Sequence, residues 1–328
     1  MVAECIWFIM ERRCFLTLLV GAICCNAAAS APSGDDPHRN LPLISKDCGE
    51  VFQDRIYRGN KTNALDFPWV ALIATERDSV SAFTCTGSVI NDRYILTSAH
   101  CITELNGRNL TGVRIGEHDI STGRDYPVES LFTPSVQDIG IEKVIPHAGY
   151  TGTKRDGSPD VENDIGLIRL KKAIDMTEDI IPVCLPYKGE LQKKVLEGKQ
   201  FTRFGWSFGK SGKHVRHPSN ESILREDLLK FEENLTSMEI CSRIINNGMA
   251  SPGEEFHQLC GSANSCFKGS GDPLVYKETL VFGDTVAQRW VQYGVSTTRL
   301  GLCGQKEDHD VFNNVAHYMD WILDQLES

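Results

Sequence analysis

The chain has 328 residues, 41% of them hydrophobic and 24% charged, with a net charge of -10. That composition supports a full apolar core, and the length exceeds one minimal module, so one large domain or two fused ones are expected. The acidic balance is spread along the chain with no acidic tail, which reads as a solvated surface and offers no electrostatic footing for nucleic acid or an anionic membrane.

Arg12 and Arg13 precede the apolar run Phe15–Cys25, and the small residues Ala27-Ala28-Ala29-Ser30-Ala31 follow it. This is the order of a secretory signal peptide, and the run is short for a membrane span. Residues 1–30 are therefore read as a signal peptide starting at Met1 or Met10, and the product as secreted, extracellular and free of the membrane after cleavage. Removing this segment takes Cys5, Cys14, Cys24 and Cys25 from the twelve cysteines and leaves eight: Cys48, Cys85, Cys101, Cys184, Cys241, Cys260, Cys266 and Cys303. An even number in a secreted chain predicts a disulfide framework, and none has the short CxxC spacing of a zinc site. No metal and no cofactor are implied. Sequons begin at Asn60, Asn109, Asn220 and Asn234, as suits an oxidising, glycosylating compartment.

Residues 32–47 are rich in Pro, Gly and Asp and read as a flexible leader, part of a leader and activation segment at 31–55 that precedes a domain at 56–328. From Pro68 the chain becomes a succession of short apolar runs broken by Gly, Asn and Asp. They include Trp69–Ala74, Tyr94–Thr97, Val113–Ile115, Ile165–Leu170, Leu274–Tyr276 and Trp290–Val295. That texture predicts an all-β sandwich or barrel. Helical spacing is clear only at the C-terminus, through Val315, Tyr318, Met319, Ile322 and Leu326. The polar, basic stretch Gly209–Asn220 reads as an exposed loop.

Three segments carry chemistry. Leu96-Thr97-Ser98-Ala99-His100-Cys101 sets a histidine beside a cysteine after a strand-like run. Asn163-Asp164-Ile165-Gly166-Leu167-Ile168 sets an aspartate at the head of an apolar strand. Cys266-Phe267-Lys268-Gly269-Ser270-Gly271-Asp272-Pro273-Leu274 sets a serine in a Gly-flanked turn. Each alone suits a structural role as well as a catalytic one. Together they run His, Asp, Ser, the chymotrypsin order of such a triad.

On these residues the chain, over roughly 48–325, resembles the chymotrypsin/trypsin-family serine proteases, and most of all the arthropod clip-domain proteases and their homologues. The resemblance implies an all-β fold of two six-stranded antiparallel barrels with a C-terminal helix. It implies that Ser270 attacks, His100 acts as base then acid, and Asp164 orients His100. It pairs Cys85 with Cys101, Cys48 with Cys184, Cys241 with Cys260, and Cys266 with Cys303. A further family disulfide is replaced at both ends, by Phe201 and Tyr276, which predicts an aromatic contact there. A clip module needs six cysteines of its own and the leader holds only Cys48, so none is expected. Gln53-Asp54-Arg55-Ile56-Tyr57-Arg58-Gly59 resembles the activation site, with cleavage after Arg55 freeing the Ile56 amine; Arg58 stands where glycine is usual. The Cys48–Cys184 bond would keep the leader attached after that cut.

The family's nucleophile loop reads Gly-Asp-Ser-Gly-Gly-Pro, and here it reads Lys268-Gly269-Ser270-Gly271-Asp272-Pro273. In the family the Asp before the Ser receives the buried terminal ammonium, which Gly269 cannot do. A buried ammonium without a partner costs on the order of several kcal/mol, so a zymogen-like site is expected, and Asp272 brings a carboxylate near the site in place of the second glycine without being expected to restore the pair. The Lys268 and Ser270 amides would face the oxyanion, and losing one such donor costs about 10²–10³ in turnover. In the implied specificity pocket Asn264 replaces the basal aspartate, Asp310 a wall glycine, and Thr297-Thr298 the Trp-Gly after Ser296. Asp310 either holds a basic side chain or fills the pocket together with Thr298. Two functional readings follow. One is a weak or zymogen-like endopeptidase acting on a polypeptide. The other is a non-catalytic homologue that serves as binding partner or cofactor of a protease in an extracellular, immune-type cascade. Either would work as a monomer without nucleic acid.

Overall fold

A computed structural model describes residues 38–50, 66–118, 120, 136–152, 160–187, 189–206, 228–245, 257–263, 269–282, 285–300 and 309–328, all within one compact unit, His38–Ser328. The first barrel contains β1 (Val70–Arg77), β2 (Val80–Val89), β3 (Tyr94–Thr97), β4 (Asn109–Ile115), β5 (Gln137–Ile139), β6 (Ile141–Pro146) and β7 (Gly166–Leu170). Its strand order is β5-β4-β1-β2-β3-β7-β6. β5 and β6 are one strand interrupted at Gly140: Ile139 pairs with Val113 of β4, and Ile141 with Leu170 of β7. That strand closes the barrel, so six strands make it. β1 and β2 join through Asp78-Ser79, both at positive φ (52° and 63°), the geometry of a two-residue hairpin turn that follows strand twist.

The second barrel is closed in the order β10-β13-β12-β11-β8-β9. Its strands are β8 (Gln200–Gly205), β9 (Leu229–Leu235), β10 (Gln258–Ala263), β11 (Pro273–Phe282), β12 (Thr285–Leu300) and β13 (His309–Asn314). Short helices lie at α1 (His100–Thr103), α2 (Gly189–Gln192), α3 (Met238–Ile245) and α4 (Met319–Gln325). Only α4 was signalled by sequence periodicity. Met319, Ile322 and Leu323 of α4 are buried together with Val315, Tyr318 and Leu326. These side chains join the core of the first barrel, each contributing roughly 1.5–3 kcal/mol by leaving water.

The leader is less free than its composition suggests. Asn40 Nδ2 donates to the carbonyls of Leu323 (2.8 Å) and Leu326 (3.1 Å) at the end of α4, Asn91 Nδ2 donates to Leu43 O at 3.0 Å, and Ile44 is buried. Residues 40–44 are thus docked on the first barrel and α4, whose helix-end carbonyls accept from Asn40.

Three bonds are present, Cys48–Cys184, Cys85–Cys101 and Cys241–Cys260, closing sequence separations of 136, 16 and 19. Cys266 and Cys303 lie outside the described residues. Phe201 and Tyr276 meet with ring centroids 5.1 Å apart at 44°, where the missing bond would cross from β8 to β11. No helix among the described residues is long and apolar enough to cross a membrane.

Candidate active site

His100 opens α1 directly after β3, and Asp164 precedes β7, the strand that pairs with β3. That pairing, Thr97 opposite Gly166, brings the two side chains together. Asp164 Oδ2 lies 2.7 Å from His100 Nδ1, and Oδ1 accepts from the His100 amide at 2.8 Å. Asn163, at φ 57°, turns the chain so that Asp164 points inward. Tyr318 Oη donates to Asn163 Oδ1, and Asn313 Nδ2 to Asp164 O at 2.9 Å, which fixes that turn. The Asp164 side chain is 2% exposed against 23% for His100, so the acid is inside and the imidazole reaches the surface. Burial pushes the imidazole down. The hydrogen bond and charge of Asp164, with Glu104 adding, outweigh that and hold it above its ordinary value.

Ser270 sits at the mouth of β11. Its carbonyl accepts from the Thr86 amide of β2 at 3.0 Å. Gly271, at φ +77°, lies so close that a Cβ there would meet Thr86 O at 2.1 Å and Thr97 Oγ1 at 2.3 Å. Only glycine fits both the angle and the approach. Thr97 is the last residue of β3, three before His100, so the serine turn is pressed against the strand that delivers the histidine.

Beneath the turn lies a buried charge cluster. Arg203 of β8, 1% exposed, forms ion pairs with Asp272 Oδ2 (3.1 Å) and Asp310 Oδ2 (2.9 Å), with Glu233 at 3.8 Å. Its guanidinium stands over the Phe312 ring at 5.3 Å. Arg299 takes both oxygens of Asp310, at 2.8 and 2.6 Å. Burial pushes Asp310 up, but the guanidiniums of Arg203 and Arg299 outweigh it and hold the group below its ordinary range. Burial first, and then the charge of Asp310, push Glu233 up to about 8 against the pull of Arg203. Burial also raises Asp272, with Arg203 and Thr86 opposing.

This arrangement alters the expectations for the pocket. Asp310 is 1% exposed and its carboxylate is occupied by two arginines of the chain itself, so it is not presented to a ligand. The Ser296 hydroxyl donates to Gly269 O at 2.9 Å and accepts from Arg203 at 3.0 Å, tying the serine turn to β12. Thr298 is half-buried beside a register shift between β12 and β13. Asn264, Lys268, Arg55 and Ile56 lie outside the described residues, as do Asn60 and Asn220; Asn109 and Asn234 are exposed. Arg203, Glu233, Arg299 and Thr86 were not singled out by sequence reasoning. A signal for Glu233 existed: Leu229, Phe231, Glu233 and Leu235 alternate along one strand, so the acid falls on the inward row. Cys85, His100 and Cys101 lie close enough together to suggest metal ligands. The two sulfurs are bonded to each other, so neither is a thiolate donor.

Two β-barrels, a His–Asp pair and a Gly-flanked serine define a chymotrypsin-like serine-protease domain. The trypsin family profile matches residues 56–322, and the chain belongs to that family. It is 32% identical to CLIP domain-containing serine protease B4 of Anopheles gambiae over 97% of this chain and 82% of that protein. It is 31% identical to phenoloxidase-activating factor 1 of Holotrichia diomphalia, over 92% and 79%. Among solved structures it is similar to the Drosophila Grass clip serine protease of the Toll pathway, with a TM-score of 0.72 and 28% identity over 89% of this chain and 79% of that one. Mouse neuropsin, at 22% identity and a TM-score of 0.56, shares the fold.

Proposed function

We propose that the protein is a secreted serine endopeptidase of low turnover that acts on a polypeptide in an extracellular protease cascade. The observation that carries this is the His100–Asp164 pair, with both carboxylate oxygens engaged by the same histidine. With Nδ1 held by Asp164, Nε2, which lies 3.6 Å from Cys101 Sγ, is the nitrogen that would serve the serine, and Asp164 stabilises the imidazolium once it has taken the proton. Ser270 is the nucleophile, His100 the base and then the acid. The similarity to phenoloxidase-activating factor 1 and to the Grass protease of the Toll pathway supports an innate-immune setting. In this reading residues 1–30 are removed on export, the chain is cut after Arg55, the Lys268 and Ser270 amides face the oxyanion, and the protein works as a monomer.

The occupied Asp310 favours a second reading, a non-catalytic homologue that binds a cascade protease. A fluorophosphonate probe offered to the purified protein, before and after cleavage at Arg55, separates the two. Labelling that disappears in Ser270→Ala supports the endopeptidase; no labelling in either form sinks it.

A further inference from the structure

In the family that this chain belongs to, a carboxylate just before the serine is met by an ammonium freed by cleavage. Here that position is Gly269, and the acid stands three residues later, at Asp272. The two changes are sterically one change. A Cβ on Gly269 would lie 1.6 Å from Asp272 Oδ2 and 2.4 Å from its Cγ, and one on Gly205 would lie 2.4 Å from Oδ1. The Asp272 carboxylate occupies the space in which a side chain at 269 would begin, so acids at both positions exclude each other in this conformation.

The acid at 272 already has its cation. Arg203 donates to Asp272 Oδ2 from Nε at 3.3 Å and from Nη2 at 3.1 Å. Nη2 also lies 3.0 Å from Gly269 O. Thr86 Oγ1 closes on the other oxygen, Asp272 Oδ1. The backbone of the turn is anchored throughout. Gly271 N donates to Ser296 O at 2.9 Å, Ser296 N to Asp272 O at 2.9 Å, and Thr86 N to Ser270 O at 3.0 Å. Among the described residues, the groups that do this, Arg203, Thr86 and Ser296, belong to strands of the two barrels.

We propose that Arg203 is a positioning residue that replaces the freed amino terminus: its guanidinium, paired with Asp272, holds the Ser270 turn in place whether or not the chain is cut after Arg55. The proposal rests on Ser270 being the nucleophile only for its activity readout; its structural readout is independent. The charges agree with it. Arg203 and Arg299 face Asp272 and Asp310, and Glu233, pushed up to about 8, is held mostly protonated at neutral pH. Among the described residues two arginines face two aspartates, and an ammonium arriving beside Arg203 would set another cation against the same buried acids, which is disfavoured.

The test compares Arg55→Gln, which stays single-chain, with wild-type protein cut after Arg55. Fluorophosphonate labelling rates within about threefold of each other are expected, and a rise of about tenfold or more on cleavage overturns the proposal. Moving the acid back, with Gly269→Asp and Asp272→Gly together, is expected to make labelling depend on cleavage; a double variant as indifferent to cleavage as wild type also overturns it. Arg203→Lys is expected to keep labelling within about tenfold, and Arg203→Met to lose more than that while the His100 ring signals of the His100–Asp164 pair persist. Full labelling in a folded Arg203→Met protein counts against the idea. Amide exchange at Gly271 and Ser296 in cut and uncut protein reads the device without any activity. Equal protection with no labelling would remove the endopeptidase and leave the device standing. Protection and labelling that both rise about tenfold on cleavage would do the reverse.

Discussion

Replacing Arg203 by methionine keeps most of the side chain's length and removes its charge. The guanidinium is 1% exposed, and its two closest acids, Asp272 and Asp310, are 1% and 2% exposed. Breaking a buried pair from one side costs about 3–5 kcal/mol, because the remaining charge is left desolvated. Asp310 keeps Arg299, so the lower half of that range is expected, a loss of about 3 kcal/mol. At roughly 2–4 °C per kcal/mol for a domain of this size, the melting temperature should fall by about 10 °C at pH 7. The pH dependence has a definite sign. In the intact protein Asp310 is held below its ordinary value of 3.8, so its contribution is present above that pH and is lost as pH falls. In the intact protein burial already holds Asp272 above its ordinary 3.8, and losing Arg203 removes a charge that opposes burial at both aspartates, so the variant loses more stability than the intact protein as pH rises above 3.8. The gap between the two proteins is therefore widest near neutrality and narrows toward pH 4. Calorimetry at about pH 7 and about pH 4.5 reads both. A drop under about 2 °C at neutral pH, or an equal drop at both, would refute the view that Arg203 is a paired buried charge.

Because His100 is raised above its ordinary 6.5, the neutral base is lost on acidification at a pH above that value. Fluorophosphonate labelling of wild type should show this limb. Asp164→Asn should cut labelling by on the order of 10⁴-fold; retention near wild-type rate would remove Asp164 from its orienting role. Glu233, raised to about 8 from its ordinary 4.5, stabilises the fold most at low pH, and this contribution drains away as pH rises through that window. Denaturant melts should therefore show Glu233→Gln flattening the decline by on the order of a few kcal/mol, and parallel wild-type and variant curves would contradict the assignment. A double-mutant cycle of Phe201→Ala and Tyr276→Ala should give a coupling of about 0.5–1.5 kcal/mol. Zero coupling would show that the rings merely fill space.

The sequence was enough for everything that depends on local pattern. Short apolar runs between Gly, Asn and Asp are the periodic signal of strands, and the His, Asp and Ser segments each lie at an end of one. Six of the eight cysteines pair as the family resemblance implies, which local pattern alone could not give, since Cys48 lies in the leader, Cys101 in α1 and Cys241 in α3. The helix Met238–Ile245 escaped because eight residues beside a strand give too short a period to read. The leader looked loose because the acceptors that dock Asn40 lie 283 and 286 residues away. The charge cluster depends wholly on tertiary structure. Arg299 and Asp310 face each other across β12 and β13, and Arg203 and Glu233 lie on the paired strands β8 and β9, but only the closed barrel brings the two pairs and Asp272 together. From the sequence, Gly269 is a missing acid and Asp272 a stray one. Only the folded chain shows that the two share one space and that a buried arginine is paired with Asp272, because excluded volume and desolvation act on distances that sequence order does not encode.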